Sequence, residues 1–197
     1  MECIDSDVEL RSGTKVHIRA CTKQDLERLA SFLSSIPKAN RTYLRYDVTD
    51  IEILRARLDQ LDGKDHFRLI AETKDRIVGD ITMDREPYGW TRHAAQIRGV
   101  IDPSFSGDDL GAVLFQALVQ LGDEVGIELL YTQVMPQQKD LVEILGQAGF
   151  EKSATLRHFA KDLRGRPQDL HVYTNDLRAV WERLGHLLEE MDLRFTH

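Results

Sequence analysis

The sequence predicts a mixed α/β (α+β) fold, in which a central, mostly antiparallel sheet of about six to seven strands is flanked by helices. One observation is that short runs of alternating apolar and polar residues are interspersed with segments whose apolar residues recur every three or four positions. The other is a strand through Ile97 and Ile101 that leads by a glycine-containing loop into a long helix and then into another strand. Such a central β-α-β unit makes its two strands parallel, whereas hairpins on both sides of it predict antiparallel pairing.

The first third of the chain is predicted to run strand, helix, helix. The alternation in 15–19 predicts the strand. Thr22 and Asp25 then have the spacing of a capping box, which starts a helix, and Thr49 and Glu52 repeat that spacing at the start of the next helix.

The middle of the chain predicts a hairpin followed by the β-α-β unit. Runs 66–72 and 76–84 are strand-like and are joined by Lys74-Asp75. The helix after the glycine-containing loop ends at Gly126, and strand 129–134 follows it. The apolar face of that helix comprises Leu110, Val113, Leu114, Ala117, Leu118 and Leu121.

The last third predicts a helix, a final hairpin and a terminal amphipathic helix. The first helix spans 138–148 and is stopped by Gly149, and two strands surround a turn at 164–166. The terminal helix either folds back onto the sheet or pairs with a second copy, in which case the protein is a homodimer. Because no repeat or flexible linker divides the chain, we expect one domain at 1–177 with helix 178–197 as a part of it. The apolar face of the terminal helix comprises Val180, Trp181, Leu184, Leu187, Leu188 and Met191.

Charge and composition narrow the classes of function. The net charge is −7, and Lys and Arg are not clustered as nucleic-acid binding requires, so no nucleic acid is expected as a partner. No apolar run approaches the roughly 18 residues that cross a bilayer, so no membrane span is expected. The two cysteines and seven histidines lack the spacing of a metal site, which predicts a reduced, cytoplasmic protein without a metal.

The segment 95–111 carries the most functional information. It predicts a buried strand, a short loop and the first turn of a long helix. A helix N-terminus gathers unpaired backbone N–H groups, which makes a ready site for phosphate. Asp108 and Asp109 stand where a phosphate would have to sit, so the segment combines a phosphate-binding geometry with two negative charges.

The order of predicted elements, with Gly149-Phe150 after the last internal helix, resembles the GNAT superfamily of acyl-CoA N-acyltransferases. The segments 10–19, 43–46 and 65–71 look most like those of protein-lysine acetyltransferase domains. The resemblance covers roughly 8–177. It implies transfer of an acetyl or another short acyl group from acyl-CoA to a primary amine, of a small molecule or of a protein lysine.

The resemblance also implies a set of residues that bind acetyl-CoA or another acyl-CoA. Family members hold the pyrophosphate with a loop of pattern Gln/Arg-x-x-Gly-x-Gly/Ala, and here Ser106 replaces the Gln or Arg and Asp109 replaces the inner glycine. This degenerate loop leaves two interpretations of Asp108 and Asp109: their side chains cap the helix themselves, or they take part in binding the coenzyme. The implied cofactor-binding residues are Val100 and Ile101, whose backbone polarises the acyl carbonyl, the loop residues Ser106, Gly107, Asp108, Asp109, Leu110, Gly111 and Ala112, and Gln138 at a position where relatives carry Asn.

The implied catalytic base position is Gln96. An amide cannot accept a proton near neutral pH, although it can orient a substrate or a water. Asp84, Glu86 and His93 lie in or beside the preceding loop and are candidate replacements. Leu145 stands where many relatives carry the Tyr that protonates the leaving thiolate.

These departures leave three functions open. One is an N-acyltransferase whose acceptor specificity resides in loops such as 41–46 and 85–93, where the aromatic residues of 41–46 either line the cleft or fill the core. The alternative is a catalytically inactive binding or regulatory module with weakened or lost coenzyme A binding. A purely structural role carried by the terminal helix is a third possibility.

Overall fold

A computed structural model describes residues 4–41, 47–162 and 165–178. The predicted loop 42–46, the tip residue Arg164 and the terminal helix from 179 onward therefore lie outside the described residues. The strands are β1 Ser6–Glu9, β2 Lys15–Ala20, β3 His66–Glu72, β4 Ile77–Arg85, β5 Ala94–Ile101, β6 Leu129–Val134, β7 Glu151–Lys161 and β8 Pro167–Asp176. The helices are α1 Leu26–Ser35, α2 Lys38–Arg41, α3 Ile51–Asp59, α4 Leu110–Glu124 and α5 Lys139–Gln147.

The sheet confirms the predicted mixed, mostly antiparallel fold. Its strand order is β1-β2-β3-β4-β5-β6-β8-β7, and β5 with β6 is the parallel pair of the β-α-β unit. The sheet has eight strands in the described residues, so the expectation of six to seven was too low. The added strand, β1, has only four residues and pairs with β2, which makes its alternation too short to signal a strand.

Helices cover both faces of the sheet. Leu69 and Ala71 of β3 pack in one core cluster with the buried residues of α4, whereas Ile70 between them packs with α1 and α3. Neighbouring residues of a strand point to opposite faces, so α4 lies on one face and α1 and α3 lie on the other. The contact between α4 and the sheet is close at Gly79, where an added Cβ would lie 2.6 Å from Leu114 Cδ1.

The helix starts differ in part from those predicted. Asp25 does accept the Thr22 N–H and hydroxyl, both at 2.9 Å, before α1 begins at Leu26. At α3 the predicted cap Thr49 was wrong by one residue. Asp50 Oδ1 accepts the N–H groups of Glu52 (2.9 Å) and Ile53 (3.3 Å) instead. No helix among the described residues is long and apolar enough to span a membrane.

An ion-pair network joins β2 to the start of α1. Arg19 binds both Asp25 oxygens, at 2.9 and 2.7 Å, and pairs with Glu72 at 2.9 Å. The Arg19 guanidinium lowers the pKa of Asp25 to about 2, from an ordinary 3.8, although partial burial opposes the shift. A carboxyl whose folded pKa is depressed contributes stability above its unfolded pKa, and this contribution is lost as the pH falls through the folded value.

Asp25→Asn is therefore expected to lower the free energy of unfolding by about 2 kcal/mol at pH 7. The difference from the unaltered protein should shrink as the pH falls from 4 to 2, measured by urea unfolding. Asp59→Asn is the control, because Asp59 is 56% exposed in its pair with Lys23 and should contribute less than about 1 kcal/mol. A difference that stays constant down to pH 2 would contradict the role of the Asp25 charge.

Candidate functional site

The two parallel strands at the centre of the sheet separate part-way along their length. β5 pairs with β6 from Ala94–Leu129 only to Gln96–Tyr131. Beyond that point β5 stays paired with β4 and β6 stays paired with β8. The hydroxyl of Thr132 donates to the Ile97 carbonyl at 3.1 Å, where the separation begins. A gap therefore opens between the C-terminal halves of β5 and β6.

Backbone groups of β5 face this gap. Asp102 N–H donates to the Val78 carbonyl at 2.8 Å, so the alternate residue Val100 directs its backbone groups toward β4. The backbone groups of the alternating residues Gly99 and Ile101 then point toward β6, as the Ile97 carbonyl does. Of the two implied backbone positions, Val100 and Ile101, only Ile101 thus presents its N–H to the gap. Gly99 also faces the gap, which the strand register shows and the sequence did not.

The N-terminus of α4 lies beyond the open end of the gap. Asp102 accepts the N–H (2.8 Å) and hydroxyl (2.7 Å) of Ser104, which forms the turn after β5. Gly107 has φ +83°, a left-handed conformation that favours glycine. The first backbone bond of the helix joins Val113 N–H to the Asp109 carbonyl at 3.0 Å, so the N–H groups of residues 110–112 precede the helical ladder.

The carboxylates of Asp108 and Asp109 bind the turn between β1 and β2. Asp109 Oδ1 accepts the Arg11 N–H at 3.0 Å, and Asp108 accepts the Ser12 N–H at 3.1 Å and the Ser12 hydroxyl at 2.5 Å. The hydrogen bonds from Ser12 hold the pKa of Asp108 below its ordinary value. Asp109 is at the N-cap position, but its side chain makes no capping bond. The interpretation that these acids cap their own helix was therefore wrong for Asp109. Both carboxylates bind the turn, and Asp108 also interacts with the neighbouring Asp109.

A polar network lies on the face of β5 that points away from α4. Gln96, 7% exposed, accepts a hydrogen bond from Arg98, and the other guanidinium nitrogen of Arg98 donates to Asp84 at 2.5 Å. Asp84 lies directly opposite Gln96 in the β4–β5 ladder and also binds Arg57 at 2.9 Å and His66 at 3.0 Å. Burial raises the pKa of Asp84, but the His66 hydrogen bond and the two arginine charges bring it below its ordinary value. The implied base position thus has an ionised carboxylate on the neighbouring strand.

The sequence profile described as the acetyltransferase (GNAT) domain matches residues 18–172. The chain belongs to the GNAT acetyltransferase family. Among proteins of curated function, no sequence match was found.

Solved GNAT structures share the fold at low sequence identity. The GNAT domain of S. lividans PAT superposes with a TM-score of 0.74 at 19% identity, over 87% of this chain and 96% of that one. Ribosomal-protein-alanine N-acetyltransferase from Brucella melitensis gives 0.70 at 21% identity, over 81% and 98%. Mycobacterium smegmatis RimJ in complex with CoA-disulfide gives 0.71 at 14% identity, over 87% and 86%. The GNAT fold therefore spans most of the chain.

The remaining candidate residues of this GNAT domain lie apart from the gap. Glu86 and His93 are exposed at the N-terminal end of β5, the end opposite the α4 N-terminus. His93 lines a cavity of about 530 Å³ there, together with Arg85. Glu86 and His93 lie outside the polar network around Gln96, whereas Arg98 links Asp84 to Gln96 by hydrogen bonds. His66 completes that cluster, and the sequence pattern offered no signal for it, because its partner is 18 residues away on another strand.

Gln138, just before α5, and Leu145, within α5, both make contacts that stabilise the fold. Gln138 precedes the helix, and its Oε1 accepts the Met135 N–H at 2.9 Å, which closes the turn after β6. Leu145 is buried in the core cluster that contains the apolar face of α4. The coenzyme-binding role implied for Gln138 remains a prediction.

Proposed function

We propose that this protein transfers an acetyl or another short acyl group from acyl-CoA to a primary amine, and the resemblance in the sequence points to a protein lysine as the acceptor. The observation that carries the proposal is the gap between β5 and β6, with the N–H groups of α4 beyond its open end. Family membership supports the reaction class.

The residues around the gap fit an acyl-CoA. The Ile101 N–H can donate to the acyl carbonyl oxygen and stabilise the negative charge that develops on it. Gly99, two residues earlier, adds no side chain beside it. The N–H groups of Leu110, Gly111 and Ala112 can donate to phosphate oxygens. Acyl-CoA supplies the acyl group as a thioester: attack by the amine forms the C–N bond and breaks the C–S bond.

On the acceptor side, the network around Gln96 orients the amine. The Gln96 amide cannot take the amine proton near neutral pH, so its contribution is to hold the amine or a water in place. Arg98 fixes this amide by binding its oxygen. The neighbouring Asp84 carboxylate is already bound by Arg57, His66 and Arg98. The amine proton therefore leaves to solvent, which predicts a modest rate.

The alternative function is a binding or regulatory module without catalysis. The amide of Gln96 and the two carboxylates at the start of α4 favour it, because the first removes a base and the others place negative charge near the phosphates. In that case acetyl-CoA binds weakly or not at all. Calorimetry separates the two functions.

Calorimetric titration with acetyl-CoA is expected to show micromolar binding that Gly111→Leu weakens at least tenfold. A Cβ at Gly111 would have only Ile101 Cδ1 near it, at 3.9 Å, so the substitution fits the fold but occupies the space beside the N–H groups. Gly146→Leu is the matched control, because Gly146 is also helical, and a Cβ there meets nothing within 4 Å. Equal affinity in both variants would place the binding elsewhere, and no binding by the unaltered protein would reject the transferase.

Turnover is measured as release of the free thiol of coenzyme A. A lysine-containing peptide, a peptide with an N-terminal alanine and a polyamine are offered as acceptors. Faster release with the lysine peptide supports the proposed acceptor. Binding of acetyl-CoA without release above the rate of hydrolysis would favour the regulatory module.

A further inference from the structure

The turn between β1 and β2 is attached to the start of α4 by three hydrogen bonds. They join Arg11 to Asp109 and Ser12 to Asp108, residues 98 and 96 positions apart in the sequence. The backbone N–H groups of Arg11 and Ser12 are both used in this contact, and Gly13, with φ +82°, donates to the Leu10 carbonyl at 2.8 Å and closes the turn. The two carboxylates therefore hold a turn from near the start of the chain against the loop that precedes α4.

This attachment brings a cation to a loop that lacks one. Ser106 is uncharged and stands where the family pattern has Gln or Arg. Arg11 is exposed, and within residues 4–41, 47–162 and 165–178 its guanidinium has no hydrogen-bond or ion-pair partner. Its backbone N–H donates to the carboxylate of Asp109, the N-cap residue of α4, at 3.0 Å, so its side chain starts close to the α4 N-terminus.

Building on the proposed function, we infer that Arg11 binds the phosphates of acyl-CoA in place of the missing loop residue. Asp108 and Asp109 then act as acceptors that position the turn. A guanidinium presents several donors in a fixed fork that matches phosphate oxygens. A single cation supplied by the turn also offsets part of the negative charge that the two carboxylates bring to the loop.

Calorimetry with two probes tests the inference. Arg11→Gln is expected to weaken binding of acetyl-CoA about tenfold and to leave binding of S-acetylpantetheine, which has no phosphate, unchanged. Arg92→Gln is the control, since Arg92 is also exposed but precedes β5 at the opposite end of that strand. Unchanged affinity for acetyl-CoA, or an equal loss with S-acetylpantetheine, overturns the inference alone. Absence of acetyl-CoA binding by the unaltered protein overturns the proposed function together with it.

A pair of variants at Asp109 separates positioning of the turn from electrostatic blocking. Asp109→Asn keeps an oxygen that accepts the Arg11 N–H and removes the charge, whereas Asp109→Ala removes both. If the turn positions Arg11, the Asn variant binds acetyl-CoA at least as tightly as the unaltered protein and the Ala variant binds several-fold more weakly than the Asn variant. If both variants bind more tightly to the same extent, the carboxylate only repels the phosphates, and the inference is wrong.

Discussion

Gln96→Glu is expected to raise the rate of acyl transfer about a hundredfold, because a positioned carboxylate can take the amine proton that the amide cannot. The new carboxylate would stand where Arg98 now binds the Gln96 oxygen, and that arginine would keep it ionised. The same arginine lowers its basicity, which is why we expect a gain at the lower end of the range for general base catalysis. The measurement is kcat/KM for the lysine peptide at saturating acetyl-CoA.

The pH dependence of the Gln96→Glu variant gives a second readout. The added rate should disappear as the pH falls through the pKa of the new carboxylate, while the unaltered protein shows no such loss. Gln96→Ala is the control for a change of shape, since it offers neither a base nor an orienting amide. If Gln96→Glu binds acetyl-CoA normally but is no faster than the unaltered protein, proton removal does not limit the reaction.

Asp80→Asn is expected to lower the free energy of unfolding by about 3 to 5 kcal/mol. Arg68 Nε and Nη2 lie 2.7 and 2.8 Å from the two Asp80 oxygens, and the side chains are 3% and 7% exposed. Removing the Asp80 charge takes away the carboxylate that binds the buried Arg68 guanidinium in a region of low dielectric. Urea unfolding followed by circular dichroism measures the loss.

The double variant Arg68→Met, Asp80→Leu distinguishes the buried charge from the loss of packing. Replacing both partners with apolar side chains of similar size is expected to bring the stability back to within about 1 kcal/mol of the unaltered protein. A single-variant loss no larger than that of the exposed Asp59→Asn would contradict the buried-pair explanation.

Much of the fold could be predicted because the apolar spacing is local. The β-α-β unit and the hairpin of β3 and β4 follow from residues that are neighbours in the sequence. The prediction missed β1 because four residues give almost no alternation. It chose Thr49 over Asp50 as the cap of α3 because both residue types cap helices and only the backbone conformation separates them.

The candidate site could be predicted only in part. The position of Gln96 and the unusual residues Ser106 and Asp109 are visible in the sequence. The alternation of β5 backbone groups is not, because it depends on how β5 pairs with β4. The neighbour relation between Gln96 and Asp84 depends on the same register.

By itself, the sequence determined the order of the strands and helices apart from β1 and α2, the turn that starts α4, and the absence of a carboxylate at position 96. Only the tertiary structure decided the use of Asp108 and Asp109, which bind a turn almost a hundred residues earlier in the chain. The physical reason is that periodicity records which face of an element is apolar, whereas the partner of an exposed carboxylate is set by whichever distant segment the fold brings within hydrogen-bond distance.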